Sequence, residues 1–574
     1  MSLRELFKSK IDKIAKESFN NEQKILAKKI IESVEDGLVE SAYQLISQRV
    51  KTGFVFDSAP EINHNAISLV MENEEMFINS PKKAIDYIEH TLIIGENYDA
   101  LKNLLVTHVD TTTNMGLIDL IYIDPPYGTE NAKNEGNDYK EEIKSEKFIY
   151  RDKYTRDGWL NLLNERLKLS KKLLKDDGMI FISIDNKNQA YLKVLLDEIF
   201  GENNFLGNIS VVNNLKGRSD DEFFATSSEY LLVYAKNKAQ VKIKGTSLTD
   251  EEIEAEYDKE DDHGLYKWVG LRKTGKGWQR EARPFMYYPL LKKDGEFYAI
   301  TDDEYNNIYL KETQVFNDKF VEMLERKYTK LGFEFFLPID LDNNKGRWRW
   351  GFDTYKREMK KNVECNTANT PSSKMRSSLE NGVERLKSHK TTWYKSEYDT
   401  GSAGLQLDKI LDTKGIFDNP KSVVFMKDIL ELIDKKEAII LDFFAGSGTT
   451  GQAVMELNLE DGGKRKFILI TNNENNIGKE ITRERIYRNI NGQGSKQQKI
   501  KWKYSNEMKS FINNVVRVFE IEQYDLTIDD TEKAYELLKK AEEQFKLLNE
   551  NYSPKSKLDI YNELSSLNPI VKVK

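Results

Sequence analysis

From about residue 90 the chain alternates short apolar runs with amphipathic helical stretches, the pattern of a sheet wound with crossover helices. Residues 91–94 and 117–123 have strand character, and 98–106 between them has helical spacing. A long helix is expected from about Asp157, with Trp159, Leu162, Leu163, Leu167, Leu173 and Leu174 on one face, stopped by Asp177-Gly178. A buried strand at 179–184, a helix at 190–200 and two antiparallel edge strands at 208–212 and 229–234 follow. Between about 240 and 415 the alternation is lost while charge and aromatic content rise, which marks an inserted domain. Order resumes with a helix at 422–433, a strand at 438–442, a glycine-rich turn, a helix through Leu457 and a strand at 466–471. The expected fold is therefore a wound α/β sheet split into halves at 56–240 and 416–500, with an insert at 241–415. Helical segments flank it at 1–55 and 501–574. In the first, Ile11, Ile14, Ala15 and Phe19, then Ile25, Ala27, Ile30, Ile31 and Val34, recur at helical spacing. In the last, a helix from Thr531 to Asn551 carries an apolar stripe at Tyr535, Leu538, Ala541, Phe545 and Leu548. The polar stretch at 128–147 reads as a mobile loop.

Composition narrows the chemistry. At 574 residues the chain should form several packed units. No apolar run approaches the roughly 20 residues of a membrane span. Met1 to Lys8 carries charges where a secretory signal has an apolar core, so a cytoplasmic protein without membrane contact is expected. The single cysteine, Cys365, excludes an internal disulfide framework and cysteine-cluster metal sites. His64, His90, His108, His263 and His389 are scattered, so no metal is expected. A net charge of −8 gives no overall attraction to nucleic acid, and any cationic surface must be local. The densest candidates are 267–280 and 345–350, where Arg272, Lys273, Lys276, Arg280, Arg347 and Arg349 alternate with tryptophans. That mixture suits phosphate contact with base stacking, and equally a solvated loop over buried rings.

Two motifs carry chemistry. Asp124-Pro125-Pro126-Tyr127 directly follows the strand ending at Ile123, where a parallel sheet handles ligands. Consecutive prolines stiffen the loop and leave their carbonyls to accept hydrogen bonds. An aromatic amine is a poor nucleophile because its lone pair is delocalised. A carboxylate and a carbonyl accepting from its N–H bonds would favour a directed lone pair, and Tyr127 could stack on the ring. The second motif, Asp442-Phe443-Phe444-Ala445-Gly446-Ser447-Gly448-Thr449, runs from a strand through a glycine turn into a helix. Its glycines permit close backbone approach, and the helix start suits a carboxylate or phosphate. No Gly-Lys-Ser or Gly-Lys-Thr occurs, which removes a Walker-type nucleotide loop.

Together, Asp124-Pro125-Pro126-Tyr127 and Phe444-Ala445-Gly446-Ser447-Gly448 resemble the catalytic and cofactor motifs of amino-group DNA methyltransferases in the permuted β-class order. Aspartate at the head of the tetrapeptide resembles adenine-N6 enzymes. The stretches 95–101, 216–220, 283–289 and 471–477 are similar to modification subunits of type III restriction-modification systems. The resemblance implies a Rossmann-like methyltransferase core and S-adenosylmethionine bound over Phe444 to Thr449 with Asp442, near Phe417 or Pro420. It further implies an adenine rotated out of duplex DNA into the Asp124 loop. Glu96 stands where many relatives have aspartate, and Asn472 and Glu474 are candidates for the cofactor ribose. The insert is then the target-recognition domain, with Arg283, Lys216 and Arg218 joining the six cations above as DNA-binding candidates. A homodimer and an ATP-dependent restriction subunit are the implied partners. Methylation of RNA adenine, an orphan methyltransferase and a catalytically silent DNA-specificity subunit are the alternatives.

Overall fold

Eleven strands pair into one sheet in the computed structural model, which describes residues 3–12, 21–35, 38–39, 42–43, 62–79, 87–126, 156–217, 221–378, 386–499, 511, 513–525, 531–554, 556, 560 and 563–567. Its strands are β1 (Ile62–Glu72), β2 (Ile88–Ile94), β3 (Ile118–Ile123), β4 (Leu174–Ile184), β5 (Phe205–Val212) and β6 (Ser228–Ala235), then β7 (Thr392–Tyr394), β8 (Ile439–Asp442), β9 (Lys466–Thr471), β10 (Asn514–Asp525) and β11 (Ser565–Leu567). They lie in the order β7-β5-β6-β4-β3-β8-β9-β2-β10-β1-β11. The six neighbours from β4 to β10 run parallel, while β6 joins β4 and β1 joins β10 antiparallel.

Strand residues alternate between two apolar layers, as the two-residue period of a strand requires. Ile93, Ile121 and Ile180 pack under α3 (Asn97–Thr107), α4 (Arg156–Leu173) and α5 (Gln189–Phe200), burying Leu104, Trp159, Leu163, Leu167 and Leu195. Their neighbours Leu92, Leu120 and Met179 face the other layer, where Met426 and Ile429 of α7 (Val423–Glu431) and Val454 of α8 (Thr449–Asp461) are buried. In that layer α8 is followed, after β9, by α9 (Arg483–Asn491), which contributes Ile486. Central strands covered on both faces read as continuous apolar runs, which is why β3 is buried throughout.

The terminal segments depart in part from the helical expectation. The two N-terminal helices, α1 (Leu3–Asp12) and α2 (Asn21–Ser33), bury Ile11, Ala27 and Ile31, but Ile25 and Ile30 are exposed. Ile14, Ala15, Phe19, Tyr127 and the polar stretch at 128–147 lie outside the described residues. In the last segment α10 (Thr531–Leu548) is helical, and Leu538, Ala541 and Phe545 are buried in one cluster with Ile67 and Leu69 of β1, with Leu548 buried as well. The same segment also contains β10, whose buried Val516 and Val518 favour a strand with their branched side chains and tie it to β2.

The chain divides into two compact units, residues 1–244 with 390–574, and residues 245–389. Thus 390–415, expected within the insert, fall in the larger unit: β7 pairs with β5, and α6 (Thr400–Leu411) buries Leu407 and Ile410 against Ile481. The smaller unit has its own core around Tyr287, Tyr288, Leu290, Leu324, Trp348 and Tyr355, with antiparallel sheets of three and four strands. Among the described residues no helix is long and apolar enough to cross a membrane.

Candidate active site

β3 and β8 are parallel neighbours, with Leu441 opposite Ile121. The chain leaves them in opposite directions, through α4 to β4 and through α8 to β9. Such a reversal opens a crevice at the carboxyl ends of the two strands, the usual ligand position in an open α/β sheet. Carrying the register onward sets Asp124 beside Phe444, so both motifs leave the sheet at one rim. Asp442 lies opposite Leu469 and Thr471 opposite Ile94, which brings Asn472 to Glu474 and Gly95 to Asn97 to the same rim.

The glycine turn is fixed from inside. Gly446 and Gly448 have φ of +48° and +79°, the left-handed region that a side chain opposes. A Cβ on Gly446 would stand 3.2 Å from the Phe417 ring, and one on Gly448 3.2 Å from Thr482 Cγ2. Asp442 is buried and accepts from Thr450 Oγ1 at 2.5 Å and from the Phe444 amide at 3.1 Å. Burial pushes its carboxyl up to about 7, against those two hydrogen bonds and with the Asp124 charge adding to it. Arg485 of α9 lies fully buried beneath the turn and donates to Ser447 Oγ at 3.0 Å, Thr449 Oγ1 at 2.8 Å and Gln452 Oε1 at 2.9 Å. Thr482 Oγ1 donates to Gly446 O at 2.5 Å. Asp442, Ser447 and Thr449 therefore act within the turn, and Ala445 is tied to the sheet by its amide on Ile470 O. The small, left-handed glycine backbone at the crevice fits the methionine part of S-adenosylmethionine, which needs close main-chain approach more than bulky side chains.

Around the acidic loop, Pro125 is buried and Pro126 half-buried. Trp159 of α4 donates its indole N–H to Pro126 O at 2.5 Å, so that carbonyl is engaged rather than left for a ligand. Lys421, between α6 and α7, reaches Asp124 Oδ1 at 3.2 Å and Glu229 Oε2 at 2.8 Å. Below them Tyr122 is buried with its hydroxyl 2.9 Å from Ser183 Oγ. Burial, then the Asp124 charge, pushes the Tyr122 phenol well above its ordinary range. Phe417 and Lys421 belong to one short segment, which thus touches the glycine turn at one point and the acidic loop at another.

At the β2 end, Glu96 caps α3 by accepting from the Tyr98 amide at 2.5 Å, and its other oxygen takes the Arg166 guanidinium at 2.5 Å. Arg166 also donates to Asn97 Oδ1, and Asn97 donates to Phe443 O at 2.8 Å. Glu96 is thereby part of a brace between α3, α4 and the glycine turn. Asn472 Oδ1 accepts from the Glu474 amide at 3.2 Å, and both side chains are half-buried at the rim. Lys421, Arg166 and Arg485 are absent from the sequence reading, because the groups each one touches lie in segments far away in the chain.

Within the smaller unit, 270–280 and 345–350 run side by side, with Arg272 opposite Trp348 and Lys273 N–H donating to Arg347 O. Arg347 is half-buried, donating to Gly277 O at 2.7 Å. Burial, then the charges of Arg283 and Arg349, lowers its pKa, so these three cations crowd one another. Arg349 and Arg283 are exposed, as is Lys276, while Arg272 and Lys273 are half-buried. Arg280 differs, because Asp318 holds its guanidinium through two bonds of 2.6 and 3.0 Å. Trp348 is buried and donates to Tyr288 O at 2.6 Å, which makes it core. In the larger unit Lys216 is exposed, and Arg218 lies outside the described residues. Among the described residues no cluster of His, Cys, Asp or Glu could hold a metal ion.

Fold and site define a doubly wound α/β protein with an acid-proline loop and a glycine turn sharing one crevice. The chain belongs to the DNA methylase family, whose model matches residues 118–487 and so takes in both motifs. A second model, described as an uncharacterised conserved protein, matches residues 4–114. The type III restriction-modification enzyme EcoPI Mod subunit of Escherichia phage P1 is 31% identical over 67% of this chain and 58% of its own length. The type II methyltransferase M.KpnI of Klebsiella pneumoniae is 34% identical over 72% of this chain and 89% of its own. The StyLTI Mod subunit of Salmonella typhimurium is 29% identical over 75% of this chain and 59% of its own. The chain thus spans under two thirds of the two Mod relatives.

Proposed function

We propose that this chain transfers a methyl group from S-adenosylmethionine to N6 of adenine in a specific sequence of duplex DNA, as the modification subunit of a type III restriction-modification system. The observation that carries the reading is the meeting of Asp124 and the glycine turn at one crevice. When bound, the cofactor supplies an electrophilic methyl on a sulfonium. Phe443 to Thr449, braced by Arg485 and by Asn97, would hold its amino-acid part, with Asn472 and Glu474 toward its ribose. The target base, extruded at a cost of about a few kcal/mol, enters against the acidic loop. Asp124 accepts one N–H of the amine and the Pro125 carbonyl the other, which directs the nitrogen lone pair; alignment and fixed charges supply the rate. Residues 245–389 read the sequence, with Arg283, Arg347 and Arg349 on phosphates or base edges. A homodimer and a separate ATP-dependent restriction subunit complete the proposed assembly.

Incubation with labelled cofactor and duplex DNA should label adenine as the N6-methyl product, and Asp124→Ala should lower incorporation by at least about a hundredfold. Label on cytosine, on RNA alone, or equal labelling by the variant would overturn this reading. The longer coverage of M.KpnI favours a second reading, a methyltransferase that acts without a restriction subunit. Co-purification of an ATPase from the native host separates the two.

A further inference from the structure

The Lys421 side chain is 11% exposed and reaches two carboxylates, that of Asp124 at 3.2 Å and that of Glu229 at 2.8 Å. A buried ammonium between two carboxylates is a costly arrangement that persists only where its partners are fixed. Here they are fixed: Glu229 enters the sheet at the start of β6, opposite Val211 of β5, and Asp124 leaves it at the end of β3. Pro420 immediately before Lys421 is buried, which limits how the side chain is presented. Burial opposes the ammonium, but Asp124 and Glu229 outweigh it and hold Lys421 protonated well above the ordinary lysine range.

We propose that Lys421 is a positioning residue for methyl transfer: its ammonium, anchored on Glu229, fixes the plane of the Asp124 carboxylate that receives the amine. The inference rests on the methyltransferase reading above. Among the described residues, Lys421, Glu229, the Tyr122 phenol and Asp442 are charged or titratable groups near Asp124. Lys421 is the cation of that set, and the other three are acids. Without it the Asp124 carboxylate loses the ammonium that bridges it to Glu229. A second consequence is specificity of effect, since Lys421 acts on the base side of the crevice and cofactor affinity should be untouched.

The test compares full-length parent, Lys421→Met, Lys421→Arg and Glu229→Gln by single-turnover methylation of duplex DNA across pH, with cofactor binding measured by calorimetry. Lys421→Met should slow the plateau rate tenfold or more, on the order expected for a lost catalytic orientation. Lys421→Arg should recover most of the plateau rate, Glu229→Gln should slow the plateau less, and cofactor affinity should stay within about threefold of the parent. An unslowed plateau in Lys421→Met, no recovery in Lys421→Arg, or a loss confined to cofactor affinity overturns the proposal. If the parent itself methylates no DNA, the functional reading falls instead. The pairing is then decided by a double-mutant cycle of Asp124→Asn and Lys421→Met in thermal unfolding, where additive losses sink it.

Discussion

At the scale of single residues, the site holds its charges in tension. Asp442 is a carboxyl buried at the start of the glycine turn, raised from 3.8 to about 7 by burial, with Asp124 adding to it. Between those pH values the folded chain keeps a proton that the unfolded chain has released, so this group lowers stability as pH rises through the window. Asparagine cannot ionise, and Asp442→Asn removes the slope while losing an acceptor for Thr450 at every pH. The parent alone hides the effect. His90 and His108, pushed from 6.5 down to about 4 by burial, tilt stability the opposite way, because the unfolded chain takes up their protons first. The informative quantity is the variant-minus-parent difference in unfolding. It should move in the variant's favour from pH 4 to 7, by at most about 1.4 kcal/mol per unit. Thermal melts of both proteins at several pH values check this, and a difference that stays constant shows that Asp442 is already ionised in the fold.

At the scale of elements, α8 offers a comparison between its own two ends. Gly448 before it and Gly462 after it both adopt left-handed backbone, at φ +79° and +68°. Their surroundings differ: a Cβ at 448 meets Thr482, whereas one at 462 meets nothing within 4 Å. Alanine at 462 should therefore cost only the backbone strain, about 1 kcal/mol, and leave cofactor affinity unchanged. Alanine at 448 adds a displacement of Thr482, whose hydroxyl holds Gly446 O, and should weaken cofactor binding at least about tenfold. Calorimetry on the two variants decides, and equal affinities would remove the turn from the cofactor site. The same helix shows what was legible in the sequence. A strand, a turn and a helix that are contiguous announce themselves through local pattern, which is why β3 with Asp124 and β8 with the glycine turn are readable. What depends on distant segments is not. Lys421 meets Glu229 across 192 positions and Arg485 meets Ser447 across 38, and nothing near either cation says what it will touch. Trp348 could equally have been a stacking ring, since a core tryptophan and a surface one share the same cationic flanks until the fold buries one of them. β10 was within reach, because Phe519 and Ile521 alternate with Glu520 and Glu522, but its partner β2 lies more than four hundred positions earlier.

At the scale of the whole molecule, a net charge of −8 must be reconciled with the proposed duplex DNA substrate, and the proposed segregation of function between the two units would do so. The smaller unit carries its own core and the crowded Arg283, Arg347 and Arg349. Its chain enters and leaves through adjacent strands, with Thr246 opposite Lys387 and Ser247 opposite Leu386 in antiparallel register. Backbones paired in that way lie about 5 Å apart, so the unit can be removed by joining Ser247 to Leu386 through a two-residue Asn-Gly hairpin turn. The shortened protein keeps the sheet, both motifs and Lys421, and should bind S-adenosylmethionine as the parent does. Its affinity for the recognition duplex should fall by on the order of a hundredfold, while weak binding that salt abolishes remains. Conversely, residues 245–389 expressed alone should bind duplex DNA with an affinity that declines as salt rises, and Arg347→Ala with Arg349→Ala should flatten that decline by roughly one contact each. Fluorescence anisotropy across a salt series measures all three proteins. Undiminished duplex affinity in the shortened protein would move recognition out of the smaller unit and onto the rim that bears the catalytic loop.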